Sequence, residues 1–188
     1  MSSRIVIEQI VAEETLREGA TVADLRAVEQ FASASRRREV LAWRAIVRRE
    51  LGETVAISHD EYGAPRVDIP NLYISVSHSR DRVALLFADR VCAVDVESTE
   101  RDFCKVASRY LSEKERTIAE QFGLYAEMWS AKEALYKYHR KGGFDLVRDI
   151  TISSYEPGSG VLKGSIRGGE TIDVKVKRES NLVVAVID

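Results

Sequence analysis

Two groups of short segments, in which apolar and polar residues alternate, constrain the fold of this chain most strongly, because alternation is typical of antiparallel strands. The first group consists of residues 4–10, 72–77, 83–88 and 91–97. The second group consists of residues 149–154, 161–167, 171–177 and 182–187. Helical periodicity covers residues 22–50 and 102–140, so each half combines helix with strands. We therefore predict an α+β fold in which the helices of each half pack on an antiparallel sheet.

The similar make-up of the two halves predicts two similar subdomains related by a pseudo-twofold axis. We place the boundary between residues 1–97 and residues 98–188, which form one functional unit with its active site between the halves. Within the first half, residues 83–88 and 91–97 are predicted to form a hairpin. A chain of 188 residues is long enough to fold in this way without a metal or a disulfide.

Composition and charge argue against several classes of protein. Apolar residues make up 45 % and charged residues 31 % of the chain, and the formal net charge is −2. This balance gives no electrostatic reason to expect nucleic acid or a membrane as a partner. The two cysteines do not make a disulfide framework, and the longest apolar run, residues 182–187, is too short to span a bilayer. Residues 4–8 have the pattern of a strand and not of a signal peptide, so we expect a cytoplasmic protein.

Asp95 and Glu97 lie two residues apart in the predicted strand 91–97. On a strand their side chains share one face, about 7 Å apart along the backbone, while Val94 and Val96 point into a core. Two carboxylates at that distance repel each other unless a cation or solvent relieves the repulsion. Near phosphate, the cation expected for such oxygen ligands is Mg²⁺. The alternative is that both residues belong to an exposed acidic strand face.

A helical segment from Trp129 to Lys137 carries a third acidic residue, Glu133. Positions 129, 133 and 137 recur every four residues and therefore lie on one face of the helix. This spacing would allow Glu133 to bind a metal while Lys137 contacts a phosphate oxygen or a leaving group. The alternative is an exposed ion pair between Glu133 and Lys137, which the spacing also favours.

Two further features could bind an anion. Ser77, His78 and Ser79 end a predicted strand, and a histidine flanked by serines offers several hydrogen bonds to phosphate. The alternative is a histidine that is satisfied by the local backbone. Residues 36–49 contain six arginines, Arg36 and Arg44 among them, and arginine favours bidentate phosphate contacts. Here the alternative is a solvated helix face. Neither a P-loop nor a dinucleotide-binding motif is present.

In this order, the motifs resemble those of the larger, Sfp-type class of 4′-phosphopantetheinyl transferases. That family combines a strand ending in S-H-S, a G-x-D-x-E strand and a W-x-x-K-E-A-x-x-K helix. The corresponding segments here are Ser77-His78-Ser79, Ala93 to Glu97 and Trp129 to Lys137. The arginine-rich helix resembles the basic segment that precedes the family's core. The resemblance covers residues 30–155.

The resemblance implies a Mg²⁺-dependent monomeric enzyme, with Mn²⁺ as an alternative metal. It would transfer 4′-phosphopantetheine from coenzyme A, bound between the halves, to a serine hydroxyl of an apo acyl or peptidyl carrier protein and release 3′,5′-ADP. The implied metal ligands are Asp95, Glu97 and Glu133. The implied catalytic residues are Asp95, Glu133 and Lys137, with the serine proton going to Glu133 or to water. The implied substrate-binding residues are Arg36, Arg44, Ser77, His78, Lys132 and Lys137.

Three positions depart from the family pattern. Ala93 stands where a Gly is usual and is expected to crowd the cleft, and Trp43 occupies a position that is often small. Ala64 stands where a basic residue often contacts phosphate or adenine. The expected carrier-docking surface contains Ile118, Phe122, Leu124 and Tyr125.

Two other functions remain open at this point. A non-catalytic module that binds coenzyme A or a carrier protein would keep the arginines and His78 but would not need three carboxylates. A metal-dependent phosphodiesterase or nuclease would use the carboxylates with Lys137. However, the spacing of Glu133 and Lys137 on a helix and the weak net charge do not favour a nuclease.

Overall fold

A computed structural model describes residues 3–188 of the chain. The helices are α1 (Glu13–Glu18), α2 (Val22–Glu29), α3 (Ala34–Leu51), α4 (Glu113–Phe122) and α5 (Tyr125–Tyr138), with a 3-10 helix at Cys104–Arg109. The strands are β1 (Arg4–Gln9), β2 (Ile57–His59), β3 (Pro65–Val67), β4 (Tyr73–Ser79), β5 (Arg82–Ala88), β6 (Ala93–Ser98), β7 (Ile150–Glu156), β8 (Val161–Ile166), β9 (Ile172–Glu179) and β10 (Leu182–Ile187). Within this described part, no helix is long and apolar enough to cross a membrane.

The first half consists of a three-stranded antiparallel sheet, in the order β1-β5-β4, with α3 packed on one face. The apolar side of α3, which includes Leu41 and Val47, shares a core with Ile74 and Leu85 of the sheet. Strands β2 and β3 form a separate two-stranded sheet whose turn lies near the end of α5. This half therefore buries one face of a helix against one face of a sheet, as an amphipathic helix requires.

The second half consists of a five-stranded antiparallel sheet, in the order β6-β10-β9-β8-β7, with α5 packed on one face. Met128 and Leu135 of α5 share a core with Ile152 and Leu162 of the sheet. Helix α5 comes so close to β8 that a Cβ atom at Gly164 would lie 2.5 Å from a side-chain carbon of Leu135. The predicted α+β fold, with helices on antiparallel sheets, is confirmed.

The two sheets share part of their strand order. In each half the first strand pairs with the last, and the last pairs with the strand before it, which gives β1-β5-β4 and β6-β10-β9. This order agrees with two similar halves, whereas a pseudo-twofold axis between them stays a prediction. By pairing, β6 belongs to the second sheet, so the predicted boundary after residue 97 lies inside a strand.

The predicted hairpin of residues 83–88 and 91–97 is wrong. Strand β5 pairs with β1 and β4, whereas β6 pairs with β10. The tight hairpin is instead β4–β5, where Ser79 pairs with Arg82 and Arg80 has a positive φ of 53°. Alternation identified both strands but not their partners, because it describes the faces of a strand and not its neighbours.

The prediction of one helix over residues 22–50 is also wrong in detail. Helix α2 ends at Glu29 and α3 begins at Ala34. Thr21 and Ser33 each accept a hydrogen bond from a backbone N–H three residues later, so each helix has its own N-terminal cap.

Buried charges join α2 to α3. Asp24 is 1 % exposed and accepts hydrogen bonds from Arg44 Nε at 2.6 Å and from Arg48 Nε at 3.0 Å. Burial opposes ionisation of Asp24, but the hydrogen bonds from Arg48, Thr21 and Arg44 outweigh it and hold the pKa of this carboxyl well below its usual range. The carboxylate therefore stabilises the contact between the two helices.

Replacing Asp24 with Asn should lower the free energy of unfolding by about 2 kcal/mol at neutral pH, because two buried guanidinium groups lose a charged partner. Since the folded-state pKa of Asp24 is lowered, its stabilisation is present above the unfolded-state pKa of about 4 and is lost as the pH falls below that value. Urea unfolding should show that the free energies of unfolding of the wild type and the variant converge as the pH falls from about 5 to about 2. A constant difference would contradict this assignment.

Candidate active site

Strand β6 places Asp95 at the junction of the two halves, facing α5. Asp95 is 4 % exposed, and its Oδ1 accepts hydrogen bonds from Lys137 Nζ at 2.8 Å and from Ser77 Oγ at 2.9 Å. Its Oδ2 is buried and has no hydrogen-bond partner among residues 3–188. The alternative of an exposed acidic strand face is therefore wrong for Asp95.

Glu97 lies on the same side of β6 and is surrounded by donors. Its Oε2 accepts a hydrogen bond from Ser79 Oγ at 2.9 Å, and its Oε1 accepts from Trp129 Nε1 at 3.0 Å and from Arg101 Nη1 at 3.5 Å. Arg101, which the motifs did not identify, stacks over Trp129 with its guanidinium carbon 4.6 Å from the ring centroid. Burial and the charge of Asp95 raise the pKa of Glu97, and they outweigh these donors, which lower it.

Glu133 lies on α5, one turn from Trp129 and one turn from Lys137, as the helical spacing predicts. Burial raises the pKa of its carboxyl, and the charges of Asp95 and Glu97 raise it further, whereas Lys137 lowers it. The three predicted metal ligands are therefore close enough to repel one another. The alternative of a Glu133–Lys137 ion pair is not formed, since Lys137 Nζ donates to Asp95 and to a backbone carbonyl of β6.

The three carboxylates do not form a preassembled metal site. Among residues 3–188, no group of three or more His, Cys, Asp or Glu side chains is arranged to hold a metal ion. The donors nevertheless fit a hard divalent cation, which prefers carboxylate oxygens. The observation that favours a cation here is that Asp95 Oδ2 accepts no hydrogen bond, which is uncommon for a buried carboxylate oxygen. A cation would satisfy this oxygen and relieve the repulsion that adds to the effect of burial in raising the pKa values of Glu97 and Glu133.

His78 lies on the opposite face of β4 from Ser77 and contacts α3. Its Nε2 lies 2.8 Å from Arg36 Nη1 and 3.3 Å from a carboxylate oxygen of Glu39. Burial lowers the pKa of His78; Glu39 opposes this effect, and Arg36 and Lys137 add to it. Because a guanidinium can only donate, Nε2 is the acceptor in the contact with Arg36. Two predicted anion ligands, Arg36 and His78, are thus neighbours.

Lys132 lies away from this site, so its predicted role at the diphosphate is wrong. Its side chain is 0 % exposed, and its Nζ lies 2.7 Å from Glu115 Oε1. The same nitrogen donates to the backbone carbonyls of Leu146 and Ile150, at 2.7 Å each. These contacts use all three donors of the ammonium group. Lys132 precedes Glu133 by one residue, which turns its side chain by about 100° around α5.

Arg44 is also engaged within the fold. Its side chain is 5 % exposed and its Nε is bound to Asp24, as is that of Arg48. The structure therefore does not support the predicted phosphate contact of Arg44. In contrast, the Arg36 side chain is 47 % exposed and reaches His78. Much of the arginine-rich helix is an internal ion-pair network and not an open anion site.

A cleft of about 220 Å³ opens between the halves, and of the predicted site residues Lys137 lines it. It is lined by the β2–β3 turn, by β4 and by the end of α5, with Ala64, Lys137, Arg140 and Lys141 among its residues. Arg140 donates from Nη2 to the backbone carbonyl of Ile74 at 3.4 Å, which links the residues after α5 to β4. The motifs did not identify Arg140 and Lys141, although these two adjacent basic residues are visible in the sequence just after the helical motif.

The departures from the family pattern differ in their relation to the cleft. Ala93 is 0 % exposed in the core beneath α5, so the expectation that it crowds the cleft is wrong. Trp43 is also buried and packs edge-on against His59, with ring centroids 6.0 Å apart. Ala64 lines the cleft, where Arg140 supplies a positive charge nearby.

Comparison with known proteins identifies the class to which this fold and site belong. Residues 91–187 match the family model of the 4′-phosphopantetheinyl transferase superfamily. The match covers about half of the chain and includes Asp95, Glu97, Glu133 and Lys137. The chain belongs to the 4′-phosphopantetheinyl transferase superfamily.

A curated relative supports the Sfp-type resemblance. The chain is 30 % identical over 95 residues to the 4′-phosphopantetheinyl transferase Sfp of Bacillus subtilis (strain 168). The aligned region is 47 % of this chain, and the chain spans 42 % of the relative's length.

Proposed function

We propose that the chain transfers the 4′-phosphopantetheine group of coenzyme A to a serine hydroxyl of an apo acyl or peptidyl carrier protein, in a Mg²⁺-dependent reaction that releases 3′,5′-ADP. The observation that carries this proposal is the cluster of Asp95, Glu97 and Glu133 beside Lys137 and the cleft. Carboxylates that repel one another favour a cation, and a cleft lined by lysine and arginine favours a diphosphate.

In this proposal Asp95, Glu97 and Glu133 hold Mg²⁺, for which Mn²⁺ would be an alternative. When bound, the ion neutralises charge on the diphosphate of coenzyme A. Lys137 turns from Asp95 toward a phosphate oxygen, which its flexible stem allows. Arg140, at the same end of α5, adds a positive charge to the cleft.

We assign the 3′-phosphate of coenzyme A to Arg36 and His78. Their side chains are 47 % and 35 % exposed, so both are accessible to a ligand. The exposed guanidinium can bind two phosphate oxygens at once. Ser77, which was also predicted to bind substrate, is 5 % exposed and directs its hydroxyl to Asp95.

The reaction forms one P–O bond and breaks another. The serine oxygen of the carrier attacks the phosphorus that bears pantetheine, and the anhydride bond breaks so that 3′,5′-ADP leaves with the electron pair. Lys137 stabilises the leaving oxygen by its charge. We assign the serine proton to Glu133, because this carboxylate lies one turn from Lys137 on the same face of α5.

We place the carrier protein, with the chain as a monomer, on the surface around Phe122 and Tyr125. Phe122 is 40 % exposed and packs edge-on against Tyr155, with ring centroids 5.4 Å apart. The exposed ring of Phe122 offers apolar area to a partner, whereas Tyr155 is half-buried. Leu124, which was predicted to belong to this surface, is 7 % exposed and lies in the core of the second half.

Transfer to a panel of apo carrier proteins tests the proposal. The purified chain is incubated with Mg²⁺, coenzyme A and carriers of fatty-acid, polyketide and peptide synthesis, and each carrier is measured by intact-mass spectrometry. We expect at least one carrier to gain the mass of one phosphopantetheine group. EDTA, or replacement of the carrier's acceptor serine by alanine, should prevent this gain. A panel without any mass gain would contradict the proposed activity.

A further inference from the structure

Three serines occupy alternate positions of β4 and face β6. Ser75 Oγ accepts a hydrogen bond from the backbone N–H of Val94 at 3.0 Å. In the same way, Ser77 accepts from Val96 and Ser79 accepts from Ser98, each at 3.2 Å. Since β6 is the edge strand of its sheet, these hydroxyls take the place of a neighbouring backbone and satisfy its outer N–H groups. We call the three residues the serine ladder.

Two members of the serine ladder also donate to carboxylates of the active site. Ser77 donates to Asp95 Oδ1 and Ser79 donates to Glu97 Oε2, both at 2.9 Å. A serine hydroxyl carries one proton and two lone pairs, so accepting an N–H from β6 leaves the proton free to point at the carboxylate. Each of these hydroxyls thereby fixes a carboxylate relative to the backbone N–H of the next residue. Within residues 3–188, Ser75 makes the backbone contact without a hydrogen bond to a carboxylate.

We infer that Ser77 and Ser79 are positioning residues, which hold Asp95 and Glu97 in the orientation that the metal and the diphosphate require. The inference rests on the proposed function and deepens it. It also differs from the predicted role of this segment, in which Ser77 binds substrate. The ladder joins the two halves at the place where the carboxylates lie, so the contact between the halves and the geometry of the site depend on the same hydroxyls.

Loss of such a hydroxyl should weaken metal binding more than it weakens the fold. Side chains that orient metal ligands typically contribute about 10- to 100-fold to metal affinity or activity. We therefore expect Ser79→Ala to raise the Kd for Mn²⁺, measured by electron paramagnetic resonance without coenzyme A, by about 10-fold or more. The Mg²⁺ concentration for half-maximal transfer should rise in parallel.

Ser75→Ala is the matched control for metal binding. It removes the same kind of contact to β6 as Ser79→Ala but no contact to Asp95 or Glu97, so it should lower the midpoint of urea unfolding similarly and leave the Kd for Mn²⁺ unchanged. Coenzyme A is left out of this comparison because Ser75 lines the cleft. Ser79→Thr keeps the hydroxyl and should restore most of the affinity. Should Ser79→Ala fail to fold, Ser77→Ala, which loses the contact to Asp95, carries the same comparison.

The outcomes separate this inference from the proposed function. A wild-type chain that transfers phosphopantetheine with Mg²⁺, together with a Kd increase in Ser79→Ala or Ser77→Ala and not in Ser75→Ala, supports the positioning role. Equal Kd values in all three variants, or equal increases, overturn it while wild-type transfer still stands. A wild-type chain without transfer overturns the proposed function itself.

Discussion

Replacing Glu133 with Gln should lower the rate of phosphopantetheine transfer by about 10²- to 10³-fold, as expected when a charged group that acts on the transition state is lost. The same change should stabilise the metal-free protein at neutral pH. Burial, together with the charges of Asp95 and Glu97, raises the pKa of Glu133, so the folded chain disfavours its ionised form. A residue that is needed for function and costs stability is typical of a ligand site.

The pH dependence of this effect has a definite sign. Because the folded-state pKa of Glu133 is raised, its contribution to stability is full below the unfolded-state pKa of about 4.3 and is lost as the pH rises through the folded-state value. The free energy of unfolding of Glu133→Gln should therefore exceed that of the wild type increasingly as the pH rises from acidic to neutral. Urea unfolding in EDTA measures this difference.

The matched control is Glu18→Gln, since Glu18 is exposed at the end of α1. It should change neither transfer nor stability. A Glu133→Gln protein that transfers at the wild-type rate would remove Glu133 from the site. If the variant were instead less stable than the wild type at neutral pH, the carboxylate would have a structural partner, and its role as a metal ligand would be contradicted.

Replacing Lys132 with Met should destabilise the fold by about 3–5 kcal/mol, the usual consequence of removing one partner of a buried ion pair. Glu115 would keep a buried charge, because its carboxylate binds the backbone N–H of Ile152 at 2.8 Å and of Ser112 at 2.8 Å in addition to Lys132. Two backbone carbonyls that accept from Lys132 would also lose their donor.

The measurement is the midpoint of urea unfolding, with Lys105→Met as the control, since the Lys105 side chain is 81 % exposed. The control should leave the midpoint nearly unchanged. Adding Glu115→Gln to Lys132→Met should recover part of the loss, because the unpaired charge is removed. A Lys132→Met protein of wild-type stability but with weakened coenzyme A binding would restore the role at the diphosphate that the structure contradicts.

Periodicity predicted the parts of the site that depend on one element alone. The alternation of β6 placed Asp95 and Glu97 on one face, and the spacing of α5 placed Glu133 and Lys137 on another. The same spacing separates Lys132 from Glu133 by about 100° around the helix. The helical pattern alone could therefore have predicted that Lys132 points away from the site. A family motif that contains both residues led to the wrong assignment.

Local sequence patterns could not predict the contacts between elements. Alternation could not tell that β6 pairs with β10 and not with β5, because strand partners are set by the tertiary fold. Nor could it tell that the Arg44 side chain is bound to Asp24, twenty residues earlier. The serine ladder was predictable only in part. The alternate positions of its residues were visible in the sequence, whereas their backbone partners on β6 were not.

The most direct test of the central claim is the stoichiometry of the two products. With Mg²⁺, coenzyme A and an apo carrier that accepts the group, released 3′,5′-ADP is measured by chromatography and modified carrier by intact mass. A transferase that uses this cleft predicts one 3′,5′-ADP for each modified carrier, and neither product in EDTA. Release of 3′,5′-ADP without modified carrier would identify a phosphodiesterase, and binding of coenzyme A without either product would identify a non-catalytic module. Either result would contradict the proposed transfer.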